Sequence, residues 1–232
     1  MSILFVTTCH KAGYDNYGFR LYKNRHNLPG ELVWYTEGYT LDGVRCKDNA
    51  QLEELQAFKE RHKGYNTKDF RMDVVRFCHK VFAFVDSMKD HDDLAVWIDS
   101  DCIPYAPMSE EYVRSQLPNG KYIAMFTRST LYSECGYWVV DCRHEMHGKF
   151  MDTMRRMYTD DLYKECKEWH DSYLMDVAVK RLNVPVHSLS ASTGYSHVMA
   201  RSDIAKYIDH CKGEGRKKRG YSIENEHSKV LR

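Results

Sequence analysis

Leu94-Ala-Val-Trp-Ile98 runs straight into Asp99-Ser-Asp101-Cys-Ile-Pro104, and the reading of that stretch decides the fold. An apolar run of strand length that ends in two carboxylates one residue apart predicts a buried strand delivering acidic side chains to its carboxyl end, the edge where open α/β sheets bind ligands. Carboxylates so placed suit a hard divalent ion. One holds the ion while the other faces a ribose or a neighbouring donor group, and the ion neutralises a diphosphate that neither Asp could approach alone. The plain reading of Asp-x-Asp is a solvated turn. The apolar strand before it and Pro104 after it give the functional reading its weight.

Working outward, the first six residues read as a core strand, and Tyr14-Asp-Asn-Tyr-Gly18 reads as a polar, aromatic loop over a sheet edge. Residues 31–36, 121–126 and 137–141 are further strands, with short ones near 185 and 196. Helical patterns cover 50–62, 144–158, 170–182 and 202–210. The longest expected helix, 69–88, carries Met72, Val75, Cys78 and Phe82 at three- and four-residue steps, and its Arg76 and Lys80 share a face. Asp90-His-Asp-Asp93 reads as a solvated, charged turn leading into the strand. Strand and helix alternate early and helices crowd the second half. That order predicts a single α/β domain with a mostly parallel central sheet flanked by helices.

A hydrophobic share of 43% with 17 Tyr, 9 Phe and 4 Trp supports a sizeable core and excludes a disordered chain. The amino terminus lacks a basic n-region and no 18 apolar residues occur in succession, so neither a signal peptide nor a membrane span is expected. The eight cysteines never form Cys-x-x-Cys, which favours reduced thiols and a cytoplasmic setting. Net charge is +1, yet residues 211 to 232 hold seven Lys/Arg against three Glu, leaving −3 on the preceding 210 residues. The positive charge belongs to the tail.

An Arg-bearing helix shortly before apolar-Asp-x-Asp, followed by Glu134-Cys-Gly136 and His170-Asp-Ser-Tyr173, resembles the GT-A class of nucleotide-sugar glycosyltransferases in order of elements over nearly the whole chain. The resemblance implies a nucleotide-binding half (1–104), an acceptor and catalytic half (105–210) and a basic tail (211–232). It implies Mn²⁺ or Mg²⁺ on Asp99 and Asp101, against the diphosphate of a UDP- or GDP-type sugar donor, with Asp101 the direct ligand. His210-Cys-Lys-Gly213-Glu-Gly-Arg216-Lys217 is similar to the His-x-x-Gly-x-x-Lys element of the family 8 enzymes, where the His completes the metal site and the basic residue meets phosphate. Arg216 stands where Lys is usual, and its guanidinium offers a bidentate fork to phosphate oxygens. A His at a helix C-terminus also serves the helix dipole, and His197 and His227 compete with His210 as third ligand.

The resemblance further places Arg76 near donor sugar or phosphate, Thr7, Thr8 and Cys9 at base and ribose, and Tyr14 or Tyr17 over the base, with Asp99 and Ser100 also among the donor-binding residues. The basic run 216–219, including Lys217, would fold over the donor and order on binding, or else stay a solvated tail. Gly136 lets backbone approach a bound sugar, whose hydroxyls Glu134 could reach. Asp171 sits near a helix N-cap. It is a plain cap, or the base that deprotonates the acceptor in an inverting reaction, or a support for sugar hydroxyls in a retaining one.

The expected activity is transfer of a sugar to a hydroxyl acceptor, a glycan by default. Two rivals stand beside it. A strand ending Asp-x-Asp is also the nucleophile motif of haloacid-dehalogenase-like phosphotransferases, which carry it on the first strand with Thr or Val where this chain has Ile103. A non-catalytic nucleotide- or nucleic-acid-binding module using the basic run is the other, and nucleic acid is not favoured.

Overall fold

Period-two alternation puts Ile3 and Phe5 on one side of the first strand and Leu4 and Val6 on the other, each side buried in its own core. The computed structural model describes residues 3 to 231, so Met1 and Ser2 of the expected first strand lie outside the described residues. The strands are β1 (Ile3–Thr8), β2 (Gly30–Thr36), β3 (Arg45–Asp48), β4 (Leu94–Ile98), β5 (Cys102–Pro104), β6 (Ile123–Phe126), β7 (Glu134–Asp141), β8 (Val186–Ser188) and β9 (Ile208–His210). Seven form one sheet in the order β3-β2-β1-β4-β7-β6-β8, parallel except that β7 runs antiparallel to both neighbours. β5 and β9 pair antiparallel as a separate two-stranded sheet.

The helices are α1 (Lys11–Gly13), α2 (Phe19–Asn24), α3 (Glu53–Arg61), α4 (Val74–Met88), α5 (Glu110–Ser115), α6 (His147–Thr159), α7 (Asp171–Leu182) and α8 (Glu214–Arg219). The apolar faces of α3, α4, α6 and α7 cover one side of the sheet, where Trp97 and its register partner Trp138 stack with ring centroids 6.4 Å apart. α2, α5 and the turns after Val198 cover the other. Asp73 caps α4 by accepting from the Arg76 amide at 3.1 Å, and Ser109 caps α5 from the Tyr112 amide, also at 3.1 Å. No helix among the described residues is long and apolar enough to cross a membrane.

Several local expectations change. The helix expected over 202–210 is a 3₁₀ turn (Asp203–Lys206) followed by β9, because backbone pairing with β5 overrides the helix-like spacing of Ile204, Ala205 and Ile208. No strand forms near 196. The aromatic loop at 14–18 is a π-helical turn that joins α1 to α2. The expected 69–88 helix starts only at Val74, after a 3₁₀ turn capped by Asp69. Glu134 and Gly136 lie inside β7 instead of before it. The segment after Cys211 is packed, with Ser222, Asn225 and Ser228 buried, which corrects the picture of a solvated tail.

Asp93 is not solvated either. Its buried carboxylate accepts both ends of the Arg114 guanidinium at 2.9 and 2.8 Å, which fastens α5 to the start of β4. Those hydrogen bonds hold its pKa down at about 2. Arg114→Ala removes both bonds and leaves the carboxylate to Arg143, whose Nη2 lies 3.7 Å away, and should lower the unfolding free energy by about 1–3 kcal/mol at pH 7. Because the native pKa is depressed, the loss should be full above the ordinary carboxylate value of about 4 and vanish as pH falls through the folded value. Urea titrations of both proteins at pH 7 and near pH 2 check this, and an equal gap at both would exclude the pair as its cause.

Candidate active site

The antiparallel course of β7 brings its first residues beside the last residues of β4. Ile98 pairs with Tyr137, and the Asp99 amide donates to the Gly136 carbonyl at 2.8 Å, so Glu134, Cys135 and Gly136 flank the Asp-Ser-Asp turn. Asp99 Oδ1 accepts from Trp97 Nε1 at 2.6 Å and from Lys80 Nζ at 2.9 Å. The same ammonium lies 2.8 Å from Asp171 Oδ2 and donates to the Cys135 carbonyl at 2.6 Å. Burial opposes the charge on Lys80, but Asp171 and then Asp99 outweigh it and hold its pKa well above the usual lysine range. Reciprocally, burial raises the Asp171 pKa and Lys80 more than reverses it, leaving that carboxyl below its usual range.

Asp101 faces a different set of groups. Its Oδ1 lies 3.2 Å from His210 Nε2 and its Oδ2 lies 3.3 Å from Lys217 Nζ. His210 reaches this position because β9 pairs it with Cys102, directly across from the carboxylate turn. Its ring rests on Gly136, where a Cβ would come 2.5 Å from Cε1. Only glycine leaves that space. His210 Nδ1 is buried without a hydrogen-bond partner among the described residues and faces Glu134 Oε1 at 3.8 Å. Glu134 accepts from Lys212 Nζ at 2.6 Å and lies 3.7 Å from Arg128 Nη1. Burial works to raise its pKa, and Lys212 foremost brings it down to about 2.

Asp101, Cys102 and His210 form a cluster whose ligand atoms lie within 4.8 Å of one another. Burial pushes the Cys102 thiol well up and it donates to the Gly136 carbonyl at 3.5 Å, so it stays a neutral, soft group unsuited to a hard ion. Asp101 and His210 do fit one. A His that ligates through Nε2 turns Nδ1–H outward, and here that nitrogen faces a carboxylate and has no other claim on it.

Two adjoining cavities open over this floor. The larger, about 590 Å³, is bounded by Asp101, Glu134, Asp171, His210, Lys212 and Lys217 with an aromatic wall. The smaller, about 190 Å³, adds Thr8, Tyr17, Lys80 and Ser100. Arg76 lines both. Lys217 Nζ sits 4.1 Å from the centre of the Tyr17 ring, between that ring and Asp101.

Of the residues picked from sequence, Asp99, Ser100, Asp101, Arg76, Thr8, Glu134, Asp171, His210 and Lys217 converge on these cavities. Others do not. Thr7 is buried with its hydroxyl unpartnered among the described residues, and Cys9 is buried with its thiol pushed up to about 11 by desolvation. Tyr14 packs edge-on against Tyr22 and Trp34, and Tyr17 takes the place at the cavity. Arg216 pairs with Glu224 and donates to the Lys212 carbonyl at 2.9 Å, away from the cavities. His197 is buried beside His210 at 5.7 Å between rings, with its pKa lowered to about 4 chiefly by burial, while His227 is exposed in the last turn. Asp171 is no cap: His170 Nδ1 accepts the Tyr173 amide at 3.3 Å, which frees Asp171 for Lys80.

Sequence reasoning put Lys80 on the Arg76 face of its helix but gave it no place in the site, and it passed over Lys212 and Tyr132. The signal for Lys80 was a lone cation directly before the apolar run Val81-Phe-Ala-Phe-Val85. Long cationic side chains inside an apolar face need a buried acceptor.

No family profile and no curated protein matches the chain in sequence. Its fold is similar to the crystal structure of mouse xyloside xylosyltransferase 1 in the apo form, with a TM-score of 0.52 at 11% sequence identity over 81% of this chain and 85% of that one. At that identity the likeness concerns the fold, a GT-A-like α/β domain with a mostly parallel central sheet flanked by helices.

Proposed function

We propose that this chain is a metal-dependent glycosyltransferase that moves a sugar from a UDP- or GDP-type nucleoside-diphosphate sugar to a hydroxyl acceptor, a glycan by default. The observation that carries the reading is the convergence of Asp101 and His210 under a cavity whose wall supplies Lys217 and Lys212. The solved protein of similar fold is by its title a xylosyltransferase, which agrees with it. Asp101 and His210 would hold Mn²⁺ or Mg²⁺, which when bound supplies charge neutralisation for the diphosphate. Lys217, already fixed between Tyr17 and Asp101, presents an ammonium to the same phosphate oxygens, and Arg76 stands where both cavities meet. Asp99 commits Oδ1 to Trp97 and Lys80, which leaves Oδ2 for a ribose or sugar hydroxyl. The same commitment argues against Asp99 as a free phosphotransferase nucleophile.

Asp171 is a poor general base, since Lys80 holds it ionised below the usual range. The reading this supports is retention: Asp171 steadies sugar hydroxyls and the positive charge that develops at the anomeric carbon. Glu134, charged and facing the larger cavity, hydrogen-bonds acceptor or donor hydroxyls.

Asp101→Ala should abolish the Mn²⁺-dependent thermal stabilisation by a nucleoside diphosphate and cut turnover by ~10²-fold or more, since the ion's charge stabilisation amounts to several kcal/mol. Gly136→Ala, which drives a methyl into the His210 ring, should weaken Mn²⁺ binding in the same thermal-shift assay. Wild-type Mn²⁺ response in both variants would move the metal site elsewhere.

Lys217→Ala and Arg216→Ala separate the two tail cations. The first should raise the donor KM by roughly tenfold, equivalent to ~1.4 kcal/mol of lost binding, while the second should loosen the Glu224 contact and leave donor KM within about twofold. A reversed order would mean the segment rearranges to place Arg216 on the diphosphate.

Asp171→Asn should lower transfer by ~10²-fold with little change in donor affinity. The anomeric configuration of the wild-type product, read by NMR, decides its role. Inversion would make Asp171 the base and overturn the retaining reading.

A further inference from the structure

Tyr132 stands between two spaces. On one side is the larger cavity; on the other lies a groove of about 450 Å³, and Tyr132 lines both. The partition is fixed in place. Its ring meets His170 edge-on at 4.1 Å, the Arg128 guanidinium covers it at 5.2 Å, and Arg128 Nε donates to its carbonyl at 2.6 Å.

The two spaces are built alike. The larger cavity sets Phe70, Phe77 and Tyr132 around His170, opposite carboxylates and lysines. In the groove, Tyr173, Asp176, Val177 and Lys180 recur at three- and four-residue steps along one face of α7, opposite Ser129, Thr130 and Leu131. Asp176 Oδ2 accepts the Ser133 amide at 2.8 Å, which turns the carboxylate to a set direction. Phe70 on one side of Tyr132 and Leu131 on the other leave 47% and 49% of their surface exposed, apolar area that an occupant would cover. Aromatic and aliphatic faces beside hydroxyls and carboxylates suit a neutral ring with apolar C–H faces and a rim of hydroxyls. Both volumes lie in the roughly 300–1,000 Å³ range of small-molecule sites.

We propose that the acceptor is a carbohydrate of at least two rings, with the reacting ring in the larger cavity and the next ring in the groove beyond Tyr132. This rests on the transferase reading for which ring reacts, but the two-ring site itself does not. α7 connects the parts: its first residue, Asp171, faces the reacting end, and the stripe from Tyr173 to Lys180 holds the distal ring.

The test measures binding apart from chemistry. Saturation-transfer NMR on the full chain, without donor or metal, is run with methyl glycosides of common hexoses and pentoses and with the matching disaccharides and p-nitrophenyl glycosides. At least one disaccharide should bind about tenfold or more tightly than its monosaccharide, with transfer to both rings. Val177→Trp, which fills the groove, should reduce that gain to below about twofold and remove the distal-ring signal. Leu131→Asp, at an exposed position where folding is not at risk, should weaken the disaccharide more than the monosaccharide. Disaccharides that bind no better than monosaccharides, or a gain that survives both variants, would overturn the proposal, as would a gain confined to p-nitrophenyl glycosides. Disaccharide binding without any Mn²⁺-dependent transfer would keep the two-ring site and count against the transferase reading alone.

Discussion

One ammonium group ties the site to the fold. Lys80 extends from α4 and contacts Asp99 at the end of β4, the Cys135 carbonyl of β7 and Asp171 at the start of α7. An ammonium buried without partners costs several kcal/mol, so each of these elements must stand where it does for the others to be tolerated. The charges are close to balanced. Asp99, Asp101, Glu134, Asp171 and Glu214 face Arg76, Lys80, Lys212 and Lys217, with His210 between Asp101 and Glu134. A diphosphate entering such a site finds little net positive charge to meet it. That is a physical reason for an added divalent cation, independent of any family likeness.

The reversal of β7 is the geometric half of the same constraint. An all-parallel sheet would put the amino end of β7 at the opposite edge of the sheet, carrying Glu134 and Gly136 away from Asp101. Running antiparallel, β7 gives its first three residues to the site and the rest to the core, where Trp138 stacks on Trp97. Trp97 in turn donates to Asp99. The core therefore sets the direction of the carboxylate, and a large-to-small change at Trp97 would reach the site through that bond.

What was legible in the sequence follows from how local each feature is. The strand 94–98 and its two Asp residues could be read because period, length and chemistry coincide in one short stretch. Arg76 and Asp171 could be placed on helices, but their partners could not be named, since Lys80 and Asp171 are far apart in sequence and meet only through tertiary packing. His210 was picked from a motif and given the wrong element. Its apolar neighbours step like a helix, whereas the strand exists only because β5 is there to pair with it. Tyr14 and Tyr17 were equivalent candidates, and the π-helical turn that orients them has no reliable signal in the residues. The direction of β7 was illegible for the same reason: nothing within an apolar strand states which way its neighbours run.

The segment after His210 shows what this nonlocality means for mechanism. Read alone, its cations and glycines describe a lid that closes on the donor. In the folded chain the buried Asp209 carboxylate accepts from the Ser222 amide at 2.6 Å and Asn225 Nδ2 at 3.3 Å, and Ser222 Oγ donates to the His210 carbonyl at 3.0 Å. Arg20 Nη1 holds the Lys217 carbonyl at 3.0 Å from the opposite side. The segment is thus part of what keeps β9 and His210 in register, and Lys212 and Lys217 are aimed at the cavity before any ligand enters. Under the proposed function, cations fixed in advance would need no ordering on donor binding, so the binding energy of a diphosphate would not be drawn down by loop entropy. It follows that cutting the chain after Cys211 would expose Asp209 and release His210, a lesion of folding instead of a clean test of a lid.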